Sequence, residues 1–416
     1  MSLIKNRKVA FEISCLSEGR WTIDCVVHDE EEAVNYGRTL LRAGECEEIR
    51  IVRHRTGPTG FTVETEILRE VAPRDKKASV ALAGDPDQVP VCQHSEALYG
   101  IDARLAVGKL MRRYLEQEGI TATELMHVWP YMRRLDDKAG QLVAAAMYRV
   151  SESQAKILGI GPKERLATLQ RWIAKAMERV REFDFVRRKV PFDLADLEHS
   201  MRRLDAAIGD GQRQFGLTAQ LSYQLLGTGS LAGRLEKLLE MAEGAKEAHL
   251  FETLDGMIAD ALSFPSIVND MLAALPNRAA GITRLADVVT GRFAPGPGER
   301  VDPVFSRFVK LQGERPLPIS SVIMLDWLIR EVGRDKPLDR HNPDGDDALL
   351  QKLLPRLRDD KGALLGGVRM QEAIGAFRLG QRQRVLRGMG MHDQANELAK
   401  VWSLDMVERM APLVET

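Results

Sequence analysis

Five arginines, Arg369, Arg378, Arg382, Arg384 and Arg387, stand against a single acid, Glu372, between residues 369 and 387. A guanidinium presents a rigid fork of donors that matches carboxylate and phosphate oxygens. This stretch is therefore the candidate contact for a partner protein or an anion. Gly366 and Gly367 precede it, and their small size leaves the amides at the start of the following helix open to an anion. The competing reading is a charged helix face that pairs with the acids of residues 339–360. A second basic stretch, 171–203, holds Arg171, Lys175, Arg179, Arg181, Arg187, Arg188, Lys189, Arg202 and Arg203, with Phe183, Phe185 and Phe192 among them. Six interspersed acids dilute its field.

Other residue types suggest metal or phosphate chemistry, and each has a plainer reading. Gly227-Thr228-Gly229-Ser230 resembles half of a phosphate loop, but no strand precedes it and no Gly-Lys-Ser/Thr completes it. A turn between helices with Ser230 as N-cap explains it. The run Asp339 to Asp347 is rich in oxygen ligands. With Gly345 as the sixth position of a calcium loop, however, Arg340 would be first and Gln351 twelfth, where acids are needed. His392-Asp393, with His341 and Asp405 as partners, is the pattern from which a metal-dependent hydrolase could assemble a site on distant helices. Asp393 as a helix N-cap is the alternative. His249 and Glu252 share a helix face but lack the second such pair that a carboxylate-bridged metal centre needs. Cys92 and His94 supply only two of the three or four ligands that zinc requires. No catalytic residue, metal or cofactor is assigned on these grounds.

The elements that must position these residues are of two kinds. Residues 8–15 and 21–27 alternate, with Val9, Phe11, Ile13 and Cys15 on one side of the first run and Trp21, Ile23, Cys25 and Val27 on one side of the second. A turn at Ser17-Glu18-Gly19-Arg20 makes them a hairpin. Acidic residues 29–32 start a helix with Ala33, Tyr36, Gly37, Leu40 and Leu41 on its apolar face and Gly44 at its end. Two further alternating runs, through Ile49 and Ile51 and through Phe61, Val63, Thr65 and Ile67, flank a turn at Gly57-Pro58-Thr59-Gly60. The order is ββαββ, a helix over one face of a small, largely antiparallel sheet.

From residue 95 the signals are helical. Gly119 closes one helix, and Thr121 with Glu124 forms a capping box flanked by the staple residues Ile120 and Leu125. Pro130 kinks or ends the next helix. Stripes at Leu197, Met201, Leu204 and Ile208, at Leu250, Leu254, Met257, Ala261 and Leu262, and at Val322, Leu325, Leu328, Ile329 and Val332 each need a partner surface. The last helix carries Leu398, Val401, Trp402 and Met406. The expected organisation is a small α/β domain over 1–73, a linker over 74–94, a helical domain over 95–294 and a second over 300–416, with the break at the Pro- and Gly-rich 295–303. The fold class is mainly α, a ββαββ domain followed by a multi-helix array or irregular bundle.

A length of 416 residues exceeds what one core usually holds. A net charge of −1 excludes a globally basic nucleic-acid coat. The four cysteines, Cys15, Cys25, Cys46 and Cys92, form no C-x-x-C pair and read as reduced, buried, small apolar residues. The N-terminal apolar run breaks at Glu12, unlike a secretory signal, and no window approaches the ~18 apolar residues of a membrane span. These observations lead to the expectation of a cytoplasmic, non-enzymatic regulatory or scaffold protein whose partner is another protein or a second copy of itself. The alternatives are a nucleic-acid-associated factor using its Arg-rich helices, and a metal-dependent hydrolase.

Overall fold

In the computed structural model the described residues are 9–17, 20–42, 48–56, 62–71, 89–209, 211–273, 275–295 and 301–398. They fall into two compact units that divide between Ala81 and Leu82. The turns at 18–19 and 57–60, Gly44, Phe61 and most of the expected linker lie outside the described residues.

The first unit follows the alternation. Strands β1 (Val9–Ser17), β2 (Arg20–Val27), β3 (Glu48–Thr56) and β4 (Thr62–Val71) form an antiparallel sheet in the order β2-β1-β3-β4. Helix α1 (Glu30–Arg42) is capped by Asp29, whose Oδ1 accepts the Glu32 amide at 2.9 Å. It covers one face, burying Ala33, Leu40 and Leu41 against Phe11, Ile13, Cys15, Ile49 and Ile51. One expectation needs correction. Ile13 pairs with Cys25 but Ser14 pairs with Ile23, so Asp24 is an extra residue and β2 bulges there. A bulge reverses the facing of everything beyond it. Cys25 and Val27 pack on the core, whereas Ile23 is 62% exposed and Trp21 lies beneath the guanidinium groups of Arg50 and Arg69. The cysteine reading is also corrected. Cys25 and Cys92 are free, but Cys15 is disulfide-bonded to a partner outside the described residues. Proximity in space decides such a bond, and sequence spacing does not report it.

Gly37 is the point where α1 comes closest to the sheet. A Cβ there would stand 2.8 Å from Ile49 Cδ1 and 3.3 Å from Ile51 Cδ1. Gly37→Ala is expected to destabilise this unit by about 0.5–2 kcal/mol, an overpacking cost of about 1–3 kcal/mol less the up to about 1 kcal/mol that alanine gains over glycine inside a helix. Hydrogen exchange of the β3 amides in the full-length chain measures it, and unchanged protection would refute the close-approach argument.

The second unit is a helical array. Its elements are α2 (Ile101–Leu110), α3 (Arg112–Glu118), α4 (Ala122–His127), α5 (Trp129–Leu158), α6 (Pro162–Arg187), α7 (Leu197–Ile208), α8 (Arg213–Gln224), α9 (Leu231–Gly244), α10 (Ala248–Leu262), α11 (Pro265–Leu272), α12 (Arg278–Val289), α13 (Pro303–Glu314), α14 (Pro318–Gly333), α15 (Asp346–Leu353) and α16 (Val368–Gly388). A further helical stretch covers 392–398. Local chemistry sets several boundaries. Gly119 ends α3 in the left-handed conformation, and the Thr121–Glu124 capping box starts α4. Pro130 lies in the first turn of α5, so it begins a new helix after α4 stops at His127.

Helix α10 is central: from Thr253 to Leu262 every residue is buried. It packs against α9 and α14, and α14 in turn packs against α12 and α16. Helices from both sides of residue 295 thus belong to one unit, with α13 on α9 and α14 on α10. The α14 stripe is rotated from the expected one. Its buried side chains include Ile323, Met324, Trp327, Leu328 and Val332, whereas Val322 is 54% exposed. Packing on several neighbours widens the buried face beyond a single stripe. Two buried carboxylates of α10 sit at the starts of other helices, where unpaired amides favour negative charge. Asp255 accepts the Ile319 and Ser320 amides at 2.8 and 3.0 Å, and Asp260 accepts the Thr123 amide at 2.7 Å.

Candidate interaction site

The five arginines of 369–387 all lie on α16, and the structure sorts them. Arg369 reaches Asp326 at 2.7 Å, and Arg384 bridges Asp335 and Asp346. These two join α16 to residues that precede it in the chain. Arg378, Arg382 and Arg387 are exposed and have no ion pair among the described residues. The inward side of α16 buries Met370, Ala373, Ile374 and Phe377. On the outward side Arg378, Arg382, Val385 and Met389 step by four, three and four residues, which places them on one helical stripe. Val385 is 51% and Met389 68% exposed. Two free guanidinium groups beside two exposed apolar side chains form a mixed cationic and apolar face. The anion expectation at Gly366-Gly367 gains no further feature. Gly367 is the N-cap of α16, without a side-chain cap.

The stretch 171–203 spans α6 and the start of α7, and much of its charge is engaged. Lys175 pairs with Glu96 and Arg202 with Glu198. Arg179 lies over Phe215, 4.1 Å from its ring centre. Arg187 and Arg188 both bind Asp184, which also accepts the Tyr223 hydroxyl at 2.8 Å. Burial alone would raise the Asp184 carboxyl, but the hydrogen bonds from Tyr223 and Arg187 hold it below its ordinary range.

The motifs with a plainer reading are structural. Ser230 caps α9 by accepting the Gly233 amide, and the buried Arg234 side chain binds the carbonyls of Thr228 and Ser230. That loop is held from within its own helix. In the 339–347 loop, Asp339 accepts the His341 amide and Asp346 accepts the Leu338 amide. His249 and Glu252 are both exposed on α10. His392 and Asp393 are exposed at the start of the 392–398 helix, so Asp393 lies within the first turn and is not the N-cap. Asp405 lies outside the described residues. Among the described residues no group of three metal-type ligands converges.

Two features were not visible in the sequence. The first is a cleft of about 280 Å³ between α11, the start of α12 and the end of α14. Its apolar wall includes Leu272, Leu275 and Ile282, and its polar side includes Asn269, Arg278, Glu331 and Arg334. The second is a buried polar network joining α2, α4, α9 and α10. Arg104 donates to Thr123 Oγ1 at 2.8 Å, and that hydroxyl donates to Asp260 at 2.6 Å. Beside it, Glu124 accepts Arg234 Nε at 2.8 Å while also closing the capping box. His127 Nδ1 donates to the Thr123 carbonyl at 2.7 Å, and its ring lies among Tyr99 and Phe215. Burial, reinforced by the nearby Arg104, pushes the His127 imidazole down to about 3. Burial raises Asp260 and Glu124 and lowers Arg104. The arrangement keeps charge balanced inside a helical core.

The chain matches no protein-family model, no curated protein and no solved structure. No described helix is long and apolar enough to cross a membrane.

Proposed function

We propose that this chain is a non-enzymatic regulatory or scaffold protein that binds another protein through the outward face of α16. One observation carries the reading: Arg378 and Arg382 have no ion-pair partner among the described residues and share a stripe with the exposed Val385 and Met389. Arginine and methionine are enriched at protein interfaces, where a desolvated guanidinium and a flexible apolar side chain act together. The complementary partner is an acidic segment with apolar side chains at helical spacing. A phosphate backbone would engage the arginines but gain little from Val385 and Met389.

The test compares three full-length proteins: wild type, Arg378→Glu/Arg382→Glu and Val385→Ser/Met389→Ser. All substitutions are on exposed positions, so thermal midpoints are expected to coincide. Proteins retained by the wild type and lost from both variants are then purified and titrated. Each double variant is expected to weaken binding by about 10–100-fold, the range for removing interface anchors. Loss with the arginine variant alone, together with a steep salt dependence, would instead favour nucleic acid. Partners retained equally by all three proteins would end the proposal for this face.

A further inference from the structure

Gly281 lies in the first turn of α12, as its fourth residue, flanked by Ala279 and Ala280 on one side and Ile282 on the other. Glycine at such a position weakens a helix relative to alanine. The usual reason for keeping it is a neighbour too close for a Cβ. Here a Cβ would meet only Leu272 Cδ1, at 3.8 Å, which is ordinary contact. No protein atom requires the glycine. Gly281 does line the cleft between α11, α12 and α14, so a side chain there would take space from the cleft.

The polar side of the cleft has a charge to offer. Arg278 binds the backbone carbonyls of Glu331, Val332, Arg334 and Lys336 at the end of α14 through its terminal nitrogens. Its Nε is buried without a hydrogen-bond partner, with Glu331 Oε2 3.9 Å away. Arg334 bonds to Glu331 at 3.0 Å, yet 46% of its side chain stays exposed. Among the residues lining the cleft, two guanidinium groups stand against one carboxylate. The exposed Asn269 amide stands at the same opening. Opposite lie Leu272, Leu275 and Ile282. The volume is about 280 Å³. It lies just below the range of about 300–1,000 Å³ that holds drug-sized ligands.

We infer that this cleft binds a small organic monoanion, a carboxylate on a short apolar body. The carboxylate meets Arg334 and the Asn269 amide, with the Arg278 charge behind them, and the body lies on Leu272, Leu275 and Ile282 beside Gly281. The site is separate from the α16 face and would give the protein a metabolite-sensing input.

Calorimetric titration of the full-length protein tests this with three probes: 4-methylpentanoate, the matching alcohol 4-methylpentan-1-ol, and acetate. The carboxylate is expected to bind one-to-one, with the alcohol and acetate each weaker by about tenfold or more. Arg334→Gln, at a half-exposed position, is expected to weaken the carboxylate by about tenfold. Gly281→Leu fills the cleft and abolishes binding, while Gly281→Ala raises the thermal midpoint of the unliganded protein. If Gly281→Leu fails to fold, the Arg334→Gln comparison decides alone. No saturable binding of 4-methylpentanoate, equal binding of the alcohol, or binding unaffected by Arg334→Gln would each overturn the proposal.

Discussion

Arg234→Met is expected to lower the unfolding free energy by about 3–5 kcal/mol, the usual consequence of removing one partner from a buried ion pair. Arg234 is 2% exposed and Glu124 is fully buried. Their attraction is secondary to what loss of the guanidinium leaves behind. Glu124 would keep its place at the start of α4, still accepting the Thr121 amide, with no cation to balance it. Burial already raises the Glu124 carboxyl despite Arg234, so the variant would bind a proton to escape the charge. The carbonyls of Thr228 and Ser230 and the Tyr131 hydroxyl would also lose a donor. Glu124→Gln/Arg234→Met is expected to be less destabilised than the sum of the singles by about 1–3 kcal/mol, since glutamine can still serve the capping box. Urea denaturation of the four proteins measures the cycle. Additive single effects would show that the pair is not coupled.

That ion pair also marks where sequence reading stops. The capping box was legible because Thr121, Glu124 and their flanking apolar residues lie within a few positions, and local spacing is what a sequence displays. The pairing of Glu124 with Arg234 spans 110 residues and leaves no local trace. The same division holds elsewhere. Gly119, Pro130 and Ser230 act on their own turns and could be placed. The bulge at Asp24 could not, because it is defined by the pairing of β2 with β1. The buried face of α14 departs from the spacing of its apolar residues because burial there depends on α10, α12 and α16 together.

The candidate site shows the same limit. The arginine run of α16 is plain in the sequence, but which arginines are free is settled by Asp326, Asp335 and Asp346, all supplied from before the helix. The cleft was invisible because its lining comes from three segments, and its single local trace is a glycine inside a helix. Across the helical body arginine acts chiefly as an internal cross-link. Arg165 holds the Cys92 carbonyl, Arg315 holds Ala245 at the end of α9, and Arg278 closes the end of α14. The outward stripe of α16 differs from those cross-links in that Arg378 and Arg382 have no ion pair among the described residues and stand beside the exposed Val385 and Met389.

The second large effect concerns acid. His127 is 1% exposed, donates through Nδ1 to the Thr123 carbonyl, and faces the charges of Arg104 and Arg179. Its folded-state pKa of about 3 lies below the ordinary 6.5. The unfolded chain therefore takes up the proton first as pH falls. Stability from the neutral ring is fully present above about pH 6.5 and is lost progressively down to about pH 3. At about 1.4 kcal/mol per pH unit, the loss between pH 7 and pH 4 is about 3 kcal/mol, rising to about 4 at pH 3. Asp260 and Glu124, whose folded values are raised, work in the opposite direction over the acidic range, so a raw pH profile mixes the three. His127→Gln separates them, because glutamine does not titrate and can still donate to Thr123. Wild type is expected to lose about 3 kcal/mol more than His127→Gln between pH 7 and pH 4 in urea denaturation. Superimposable profiles would mean that the imidazole takes up its proton as readily in the folded protein as in the unfolded chain, and the neutral, enclosed histidine at the end of α4 would have to be abandoned.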